Sequence, residues 1–288
     1  MPRASAAYAW VVPISRGPFT ASASSATRTP SFPGAAPSHG CSTMAFCGST
    51  AARLWELPLP ASVPGVPFRV SSLAPTRALR RQQVVGSQRA CGSPVLLDGI
   101  PVLDAVSTFV TLARELTVAD LTAVADRLIS GTATTQPISS REELGRALGT
   151  YHGRGARALR AALHQARDRA WSRPETLLRL LCGEAGLPAP TPNLEVLDGS
   201  AVIDLAWPEF GVGVEYQGRW HDATPAQRAR DASRRERLVD EGWTMVEVRS
   251  ADLFVTPHAL VARLVQRLVR AGWVTDTLDL TVLPRYAP

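Results

Sequence analysis

Lysine is absent from the chain, so all 31 basic side chains are arginines. Acidic side chains number 25, which leaves a formal net charge of +6 and a sequence pI near 9.7. A surplus of this size favours a polyanionic partner but does not identify one. The absence of lysine also excludes that residue from any functional site that the chain forms.

Cysteine is scarce as well. The four residues are scattered, without the CxxC or histidine spacing of a zinc site: Cys41, Cys47, Cys91 and Cys182. We therefore expect reduced thiols in a cytoplasmic protein. Long apolar runs are also missing, since none approaches the roughly 20 residues that cross a bilayer. A short apolar run at residues 6–12 is interrupted by Pro13, which makes it a weak candidate for a secretory signal.

The first acidic residue is Glu56, and the stretch before it is low in complexity. Residues 1–48 are rich in Ala, Ser, Thr, Pro and Gly, with too few large apolar side chains to offset the entropy of ordering, so we expect disorder there. Short β-like runs and two amphipathic helical patterns, at residues 102–116 and 119–129, then predict a small α+β domain over residues 49–130.

Residues 131–170 are predicted to form a linker followed by basic helices. Five arginines make this region basic: Arg154, Arg157, Arg160, Arg167 and Arg169. Two interpretations are open for them, a solvated helix face or a face that contacts DNA.

Residues 171–273 have the clearest pattern. Helical and β periodicities alternate in the order αβββαβα, and the last helix opens with Thr256 and Pro257 as N-cap and first helical residue. This order is typical of a mixed sheet flanked by helices. We therefore predict an α/β fold class with a small α+β domain before this region and a C-terminal tail at residues 274–288.

Two of these predicted strands form a hairpin with an acidic residue on each arm. If residues 208–211 form the turn, Trp207 pairs with Val212, and the ladder sets Asp204 opposite Glu215 on one face. Period-two alternation places five apolar side chains on the other face: Ile203, Leu205, Val212, Val214 and Tyr216. The carboxylate face also carries Gly211, Gly213 and Gln217, and we expect the glycines to leave it open.

Facing carboxylates destabilise a hairpin that has only a structural role, so the pair calls for a cation. A divalent ion, Mg²⁺ or Mn²⁺, accepts carboxylate oxygens together with water and phosphate oxygens, and it can activate water. Two other interpretations are open. One carboxylate pairs with an arginine, or the register differs from the one assumed.

Two further polar residues flank the hairpin, and each has two interpretations. Glu175 is either part of a capping box, reaching back to the amide of Ser172, or a third acidic group at the same site. His221 is either a polar surface residue or a group that contacts a phosphate or transfers a proton to a leaving oxygen.

The helix predicted to begin at Pro225 is rich in arginine. Arg230, Arg234 and Arg237 are spaced to stack along one side, and guanidinium groups suit phosphate oxygens. Asp231 and Arg235 are spaced as an i,i+4 pair that would serve only to stabilise the helix.

Taken together, these residues resemble a known family. The motif set consists of Ser172-Arg-Pro-Glu175, Val202-Ile-Asp204-Leu, Val214-Glu215-Tyr-Gln-Gly218, Trp220-His221, Arg230-Asp231, Arg234, Leu238 and Gly242-Trp243. It looks like the domain-of-unknown-function 559 family, which is similar to the very-short-patch repair endonucleases of the PD-(D/E)xK superfamily. The resemblance extends from Ser172 to Gly272.

The resemblance implies a restriction-endonuclease-like fold in this region. It also implies metal binding at Asp204 and Glu215, an accessory acid at Glu175 and a phosphate-side role for His221. Position 217 departs from the pattern, because the superfamily has lysine there. Gln217 can orient a water molecule but contributes no charge.

More weakly, residues 49–60 and the α+β unit after them look like the C-terminal part of abortive-infection-type antitoxin proteins. Such proteins are often fused to nuclease domains of this kind.

The sequence therefore predicts Mg²⁺-dependent hydrolysis of DNA phosphodiester bonds, in repair or phage defence. Arg219, Arg230, Arg234 and Arg237 are the candidate DNA-contacting residues. Gln217 and the basic helices keep a second function open, a catalytically impaired nucleic-acid-binding or antitoxin-like regulator. A protein-interaction module is the third.

Overall fold

The computed structural model describes residues 44–72, 77–88, 92–131, 136–218, 225–275 and 283–288, with side chains of the helix at Pro225 described from residue 230 onwards. All of them belong to one compact unit, Cys41–Pro288. The fold is mixed α/β, as predicted, and the described strands form two mixed sheets.

The first sheet has six strands in the order β3-β4-β2-β1-β6-β5. The strands are β1 (Met44–Phe46), β2 (Phe68–Ser72), β3 (Arg80–Arg81), β4 (Val84–Gln88), β5 (Pro94–Leu97) and β6 (Ile100–Leu103). The pairs β1–β6 and β2–β4 are parallel, and the others are antiparallel. Helix α1 (Gly48–Leu54) follows β1, and α2 (Ala105–Leu112) and α3 (Val118–Ile129) follow β6.

Two boundaries predicted for this part were wrong. Residues 44–48 lie in the stretch expected to be disordered, yet β1 pairs with both β2 and β6, and Ala45 is 2% exposed. Two of the three residues of β1, Met44 and Phe46, have large apolar side chains, and the average composition of the stretch hides this local run. The helix expected from residue 102 begins at Ala105, because Val102 and Leu103 belong to β6 and Asp104 caps the helix by accepting from the Ser107 amide.

Helices α4 (Arg141–Thr150) and α5 (Ala156–Gln165) share one apolar core with α2 and α3. Its fully buried members include Phe109, Leu121, Leu128, Leu144 and Leu159. Ser140 caps α4 by accepting from the Glu143 amide. The basic helices are thus packed onto the first part of the chain.

The second sheet has four strands in the order β10-β9-β8-β7. In chain order this part comprises α6 (Arg173–Glu184), β7 (Thr191–Val196), β8 (Ala201–Trp207), a 3₁₀ turn at Pro208–Phe210, β9 (Val212–Gln217), α7 (Pro225–Asp240), β10 (Thr244–Arg249), α8 (Ser250–Phe254) and α9 (Pro257–Arg270). The pair β9–β10 is parallel, and the other two pairs are antiparallel. The predicted order αβββαβα is confirmed, with α8 as an additional short helix.

Helices cover both faces of this sheet. On one face, α6 and α9 bury an apolar cluster that includes Leu177, Leu205 and Leu264, and Trp207 is fully buried there with its indole donating to the Pro188 carbonyl at 2.7 Å. On the other face, a smaller cluster contains Leu238 of α7. The acidic hairpin therefore lies in the middle of a layered structure.

Helix α6 joins the two parts of the unit through buried ion pairs to α3. Arg173 lies 2.8 Å from Asp120, and Arg179 lies 2.8 Å from Asp126. The Thr176 hydroxyl also donates to Asp126 at 2.7 Å. Charges removed from water in this way persist only when they are paired, so these contacts fix the position of α6 on α3.

The segment predicted as a C-terminal tail packs against the rest where it is described. Leu283 is buried in the cluster of α6 and α9, and Tyr286 packs against that cluster. Arg173 donates to the Ala287 carbonyl at 2.6 Å, and the Ala61 amide donates to Pro288 at 2.9 Å.

Two cysteines lie among the described residues, and both are buried free thiols. Burial raises the pKa of Cys47 to about 11 and that of Cys182 to about 12. Cys41 and Cys91 lie outside the described residues.

None of the helices in the described ranges combines the length and the apolar character that a bilayer crossing requires.

Candidate functional site

The hairpin of β8 and β9 has the predicted register as far as Leu205 and Val214, where its ladder ends, so the predicted pairing of Asp204 with Glu215 is not part of the ladder. Trp207 pairs with Val212, and the ladder continues through Ala206–Gly213 and Leu205–Val214. The turn is the 3₁₀ segment at Pro208–Phe210, which ends at Gly211 with a φ of 58°. Glycine adopts this left-handed conformation without steric cost, so the turn residues fix the register.

Strand β8 is irregular at Asp204. The ladder between β7 and β8 skips the position of Asn193 and Asp204, and Asn193 has a φ of 44°. On the other side, the Tyr216 amide donates to an Asp204 carboxylate oxygen at 2.7 Å, so a side chain replaces a backbone acceptor. The register is the same on both sides of this position, since Pro192 pairs with Leu205 and Leu194 with Ile203, so the ladder is interrupted without an inserted residue.

The structure at this interruption overturns one predicted orientation. Ile203 packs with Ala206 and Leu238, whereas Leu205 packs into the cluster on the opposite face. In a regular strand, residues 203 and 205 share a face. The alternation therefore shifts by one residue at Asp204, and the prediction was wrong for Ile203 while it was confirmed for Leu205, Val212, Val214 and Tyr216.

Gly213 does not leave its face open, contrary to the prediction. A Cβ atom there would lie 2.7 Å from the Met245 sulfur and 2.9 Å from a methyl carbon of Ile203. Glycine at this position is needed for the packing of two neighbouring side chains. The space above the strand is filled by protein.

Asp204 is held among other acidic groups. Burial, then the nearby Glu175 carboxylate and then that of Glu215, raise the pKa of Asp204 from 3.8 to about 7. The hydrogen bond from Tyr216 and the charge of Arg234 oppose this shift without cancelling it. The structure thus places Glu175 and Glu215 within electrostatic reach of Asp204.

Glu215 is 5% exposed and forms an ion pair with Arg234 of α7. A terminal nitrogen of Arg234, Nη2, lies 2.6 Å from Oε1 of Glu215, and Nη1 donates to the Val202 carbonyl at 3.2 Å. Burial raises the pKa of Glu215, and the two arginines Arg234 and Arg235 oppose that shift. This is the arginine pairing that the sequence left open as an alternative.

Glu175 lies in the first turn of α6, whose N-cap is Ser172, and its carboxylate also acts on the pKa of Asp204. Its carboxylate accepts from the Ser172 hydroxyl at 2.7 Å and from the Trp171 amide at 3.1 Å. The prediction named the Ser172 amide, which was wrong by one residue. The side-chain amide of Asn193 donates to the same carboxylate at 2.7 Å.

Asn193 is a site residue that sequence reasoning missed. It is 1% exposed, and besides Glu175 it donates to the Arg169 carbonyl. Its signal in the sequence was weak. Asparagine is a poor strand former that tolerates a left-handed backbone, so it marked an irregularity but not a contact with an acid eighteen residues away.

The arginines of α7 have different surroundings. Arg230 and Arg237 are exposed, and Arg237 also contacts the Ser200 hydroxyl at 3.4 Å. Arg234, which was also expected to contact DNA, is instead partly buried against Glu215. Arg219 lies outside the described residues.

Arg235 does not form the predicted i,i+4 pair with Asp231. It pairs with Glu247 of β10 at 2.8 Å, and both side chains are about 40% exposed, at 44% and 40%. Strand β10 runs beside β9, so α7 places two successive arginines over two neighbouring acids of the sheet.

Two predicted site residues add no described contact to this group. His221 lies outside the described residues. Gln217 is the last residue of β9, is half-buried and pairs with Arg249 of β10.

The acidic side chains of this group are candidate ligands of a divalent metal ion. Within the described ranges, no three histidine, cysteine or acidic side chains converge in a way that could hold a metal ion. Mg²⁺ needs only one or two protein carboxylates when water and phosphate oxygens complete its shell. Asp204 and Glu215 supply oxygen donors of low exposure; burial and neighbouring carboxylates raise the pKa of Asp204, whereas Glu215 is paired with Arg234. The donor chemistry fits.

Comparison with known proteins identifies relatives in Mycobacterium tuberculosis. The "Uncharacterized protein MT2308" of strain CDC 1551 / Oshkosh and the "Uncharacterized protein Rv2248" of strain ATCC 25618 / H37Rv are each 33% identical to this chain over 215 residues. The matched region covers 72% of this chain and 73% of each relative. This chain belongs to their family. No protein-family model matches the chain, and no solved structure matches it.

Proposed function

We propose that this chain is a divalent-metal-dependent DNA endonuclease whose C-terminal part has the restriction-endonuclease-like fold. The observation that carries the proposal is the placement of Asp204 at an interruption of the strand ladder, within electrostatic reach of Glu175 and Glu215, with its pKa raised to about 7. Acids with such perturbed pKa values are concentrated at functional sites. The resemblance to the domain-of-unknown-function 559 family gives the same three residues a role in phosphodiester hydrolysis.

The side chains of the site have separable roles in this proposal. Asp204 and Glu215 would hold Mg²⁺ or Mn²⁺, which when bound supplies a Lewis acid and lowers the pKa of water. The Tyr216 amide fixes the orientation of Asp204. Ser172 and Asn193 hold the Glu175 carboxylate beside it, where Glu175 would orient a water molecule.

DNA is the proposed substrate because of charge. The chain carries a net charge of +6, and Arg230 and Arg237 are exposed on α7, the helix that covers the carboxylate hairpin. Guanidinium groups bind phosphate oxygens through paired donors and fix the position of a duplex without reading its sequence. A DNA substrate places the activity in the cytoplasm.

The test is nicking of supercoiled plasmid with Mg²⁺ or Mn²⁺. We expect Asp204→Asn to lower the nicking rate by about 100-fold or more, since it removes a charged ligand while keeping the shape of the side chain. Asp240→Asn, at the exposed end of α7, is the matched control and should cut like the wild type. Equal rates for Asp204→Asn and wild type would refute the assignment.

A second function is favoured by a specific observation. Glu215 is already neutralised by Arg234, and Gln217 supplies no charge. A regulator that binds nucleic acid without cutting it would show salt-sensitive binding that needs no metal and survives Glu215→Gln. An endonuclease would instead bind and cut in a manner that depends on Asp204.

A further inference from the structure

We infer that Arg234 is the built-in counter-ion of the acidic site, and that a divalent cation binds by displacing its guanidinium from Glu215. The inference rests on the proposed function, because it concerns the same two carboxylates. It goes beyond that function by giving Arg234 a role in controlling access of the metal ion rather than a direct contact with DNA.

The ion pair of Arg234 and Glu215 is strong because of its position and its short separation. The Glu215 side chain is 7% exposed and that of Arg234 is 31% exposed, so the pair lies at the border of the interior, where attraction is weakly screened. The 2.6 Å separation is that of a strong charge-assisted hydrogen bond. Arg234 also bonds the Val202 carbonyl two residues before Asp204.

The Arg234 guanidinium does not use all of its hydrogen-bond donors. Arginine has five N–H donors. The Arg234 Nε is buried without a hydrogen-bond partner among the described residues. The ion pair with Glu215 is therefore the main interaction of the Arg234 guanidinium. A cation that binds Glu215 more strongly would remove most of the energy that keeps this side chain in place.

A divalent ion and the Arg234 guanidinium compete for the Glu215 carboxylate. A carboxylate oxygen of Glu215 that accepts from Arg234 at 2.6 Å has that direction occupied by a cation. Mg²⁺ requires its oxygen ligands at roughly 2.0–2.1 Å, and two cations on one carboxylate repel each other. Binding of the ion at Glu215 therefore weakens the attraction that holds Arg234 and favours its departure.

The displaced guanidinium has an obvious chemical use. The chain contains no lysine, and Gln217 stands uncharged at the end of β9. Arg234 lies next to both carboxylates on a helix that is only partly packed, and it is the described basic side chain paired with an acid of this site. Once released, it is available to the phosphate oxygens of the substrate, which suit its planar set of donors.

The test measures binding of Mn²⁺ alone to the full chain by calorimetry, without DNA. We expect Arg234→Gln to bind Mn²⁺ about tenfold more tightly than the wild type, because the competing charge is gone. The matched control is Arg235→Gln on the same helix, which breaks the exposed pair with Glu247 and should leave the Mn²⁺ affinity within about twofold of wild type.

The outcomes separate this inference from the proposed function. Wild-type binding that is lost in Asp204→Asn but unchanged or weakened in Arg234→Gln would overturn the inference and leave the metal site intact. Binding that is detected only in Arg234→Gln would support it. Absence of Mn²⁺ binding in the wild type and in Arg234→Gln alike would overturn both.

A second measurement covers the case in which Arg234→Gln does not fold. Nuclear magnetic resonance of the ¹⁵N-arginine-labelled wild type follows the Nε–H signal of Arg234, assigned by its loss in Arg234→Lys, which keeps the charge. Saturating Mg²⁺ should shift this signal while that of Arg235 stays in place. An unmoved Arg234 signal at a Mg²⁺ concentration that calorimetry shows to be saturating would contradict displacement.

Discussion

At the scale of single residues, Asp204 lies in surroundings that disfavour a charged side chain. It is partly buried beside two other carboxylates, and the Tyr216 amide is its hydrogen-bond donor among the described residues. The same arrangement that would make it a metal ligand makes the folded state sensitive to pH.

The pKa of Asp204 predicts how stability depends on pH. Its folded-state pKa of about 7 lies above 3.8, so between these values the folded protein binds more protons than the unfolded chain. The free energy of unfolding therefore decreases as pH rises through this window. Asp204→Asn keeps the acceptor for the Tyr216 amide without the charge, and we expect it to be more stable by roughly 2–4 kcal/mol at about pH 8.

Urea unfolding over a series of pH values checks this prediction. The stability gain of Asp204→Asn should shrink as pH falls and vanish below the unfolded-state pKa. Asp240→Asn should follow the wild type at every pH. A wild-type protein and an Asp204→Asn variant with parallel pH profiles would show that the carboxyl titrates normally in the folded state.

Among the helices and strands, α6 has the most consequential position. It contributes Glu175 to the acidic site at its first turn and anchors itself to α3 through Arg173 and Arg179. Its apolar side packs against β8 and α9. The acidic site is therefore positioned by a helix whose own location depends on two buried ion pairs.

The pair of Arg179 and Asp126 predicts a large effect of a single truncation. The side chains are 9% and 1% exposed, and Asp126 also accepts from Thr176 and from the Arg167 amide. Asp126→Ala leaves a buried guanidinium unpaired and should lower the free energy of unfolding by about 3–5 kcal/mol. Chemical denaturation measures this loss.

An exposed ion pair provides the control for that measurement. Arg169 and Glu195 lie 2.6 Å apart, but their side chains are 49% and 60% exposed. Glu195→Ala should therefore cost less than about 1 kcal/mol. Similar losses in the two variants would mean that the α3–α6 contact contributes no more than a surface pair.

At the scale of the whole molecule, the two sheets lie in one compact unit, and two large apolar cores meet at α3 and α6. The buried ion pairs cross this boundary, with one partner on α3 and the other on α6. Unfolding of one core would therefore leave buried charges of the other core without their partners. We expect a single cooperative unfolding transition.

Hydrogen exchange tests this cooperativity. Amides of α3 such as Val124 and of β9 such as Val214 should exchange with the same opening free energy in the wild type. In Asp126→Ala the two values should separate. A wild type in which β9 is far better protected than α3 would show that the parts unfold independently.

Local physics explains what the sequence alone determined. The order of elements in the second sheet and the register of Trp207 with Val212 follow from periodicity and from a turn that ends in a left-handed glycine, and both were confirmed. These features depend on neighbours within a few residues, so the local pattern contains the information they need.

Only the tertiary structure decided the surroundings of the acids. Periodicity predicts neither the reversed orientation of Ile203, nor the hydrogen bond from Asn193 to Glu175, nor the ion pair of Arg234 with Glu215. Their formation depends on how α6 and α7 pack on the sheet, because a charge removed from water takes whichever counter-charge that packing brings within reach. The sequence identified Glu175, Asp204 and Glu215 as candidates, and the packing determined that Arg234 is the cation paired with Glu215.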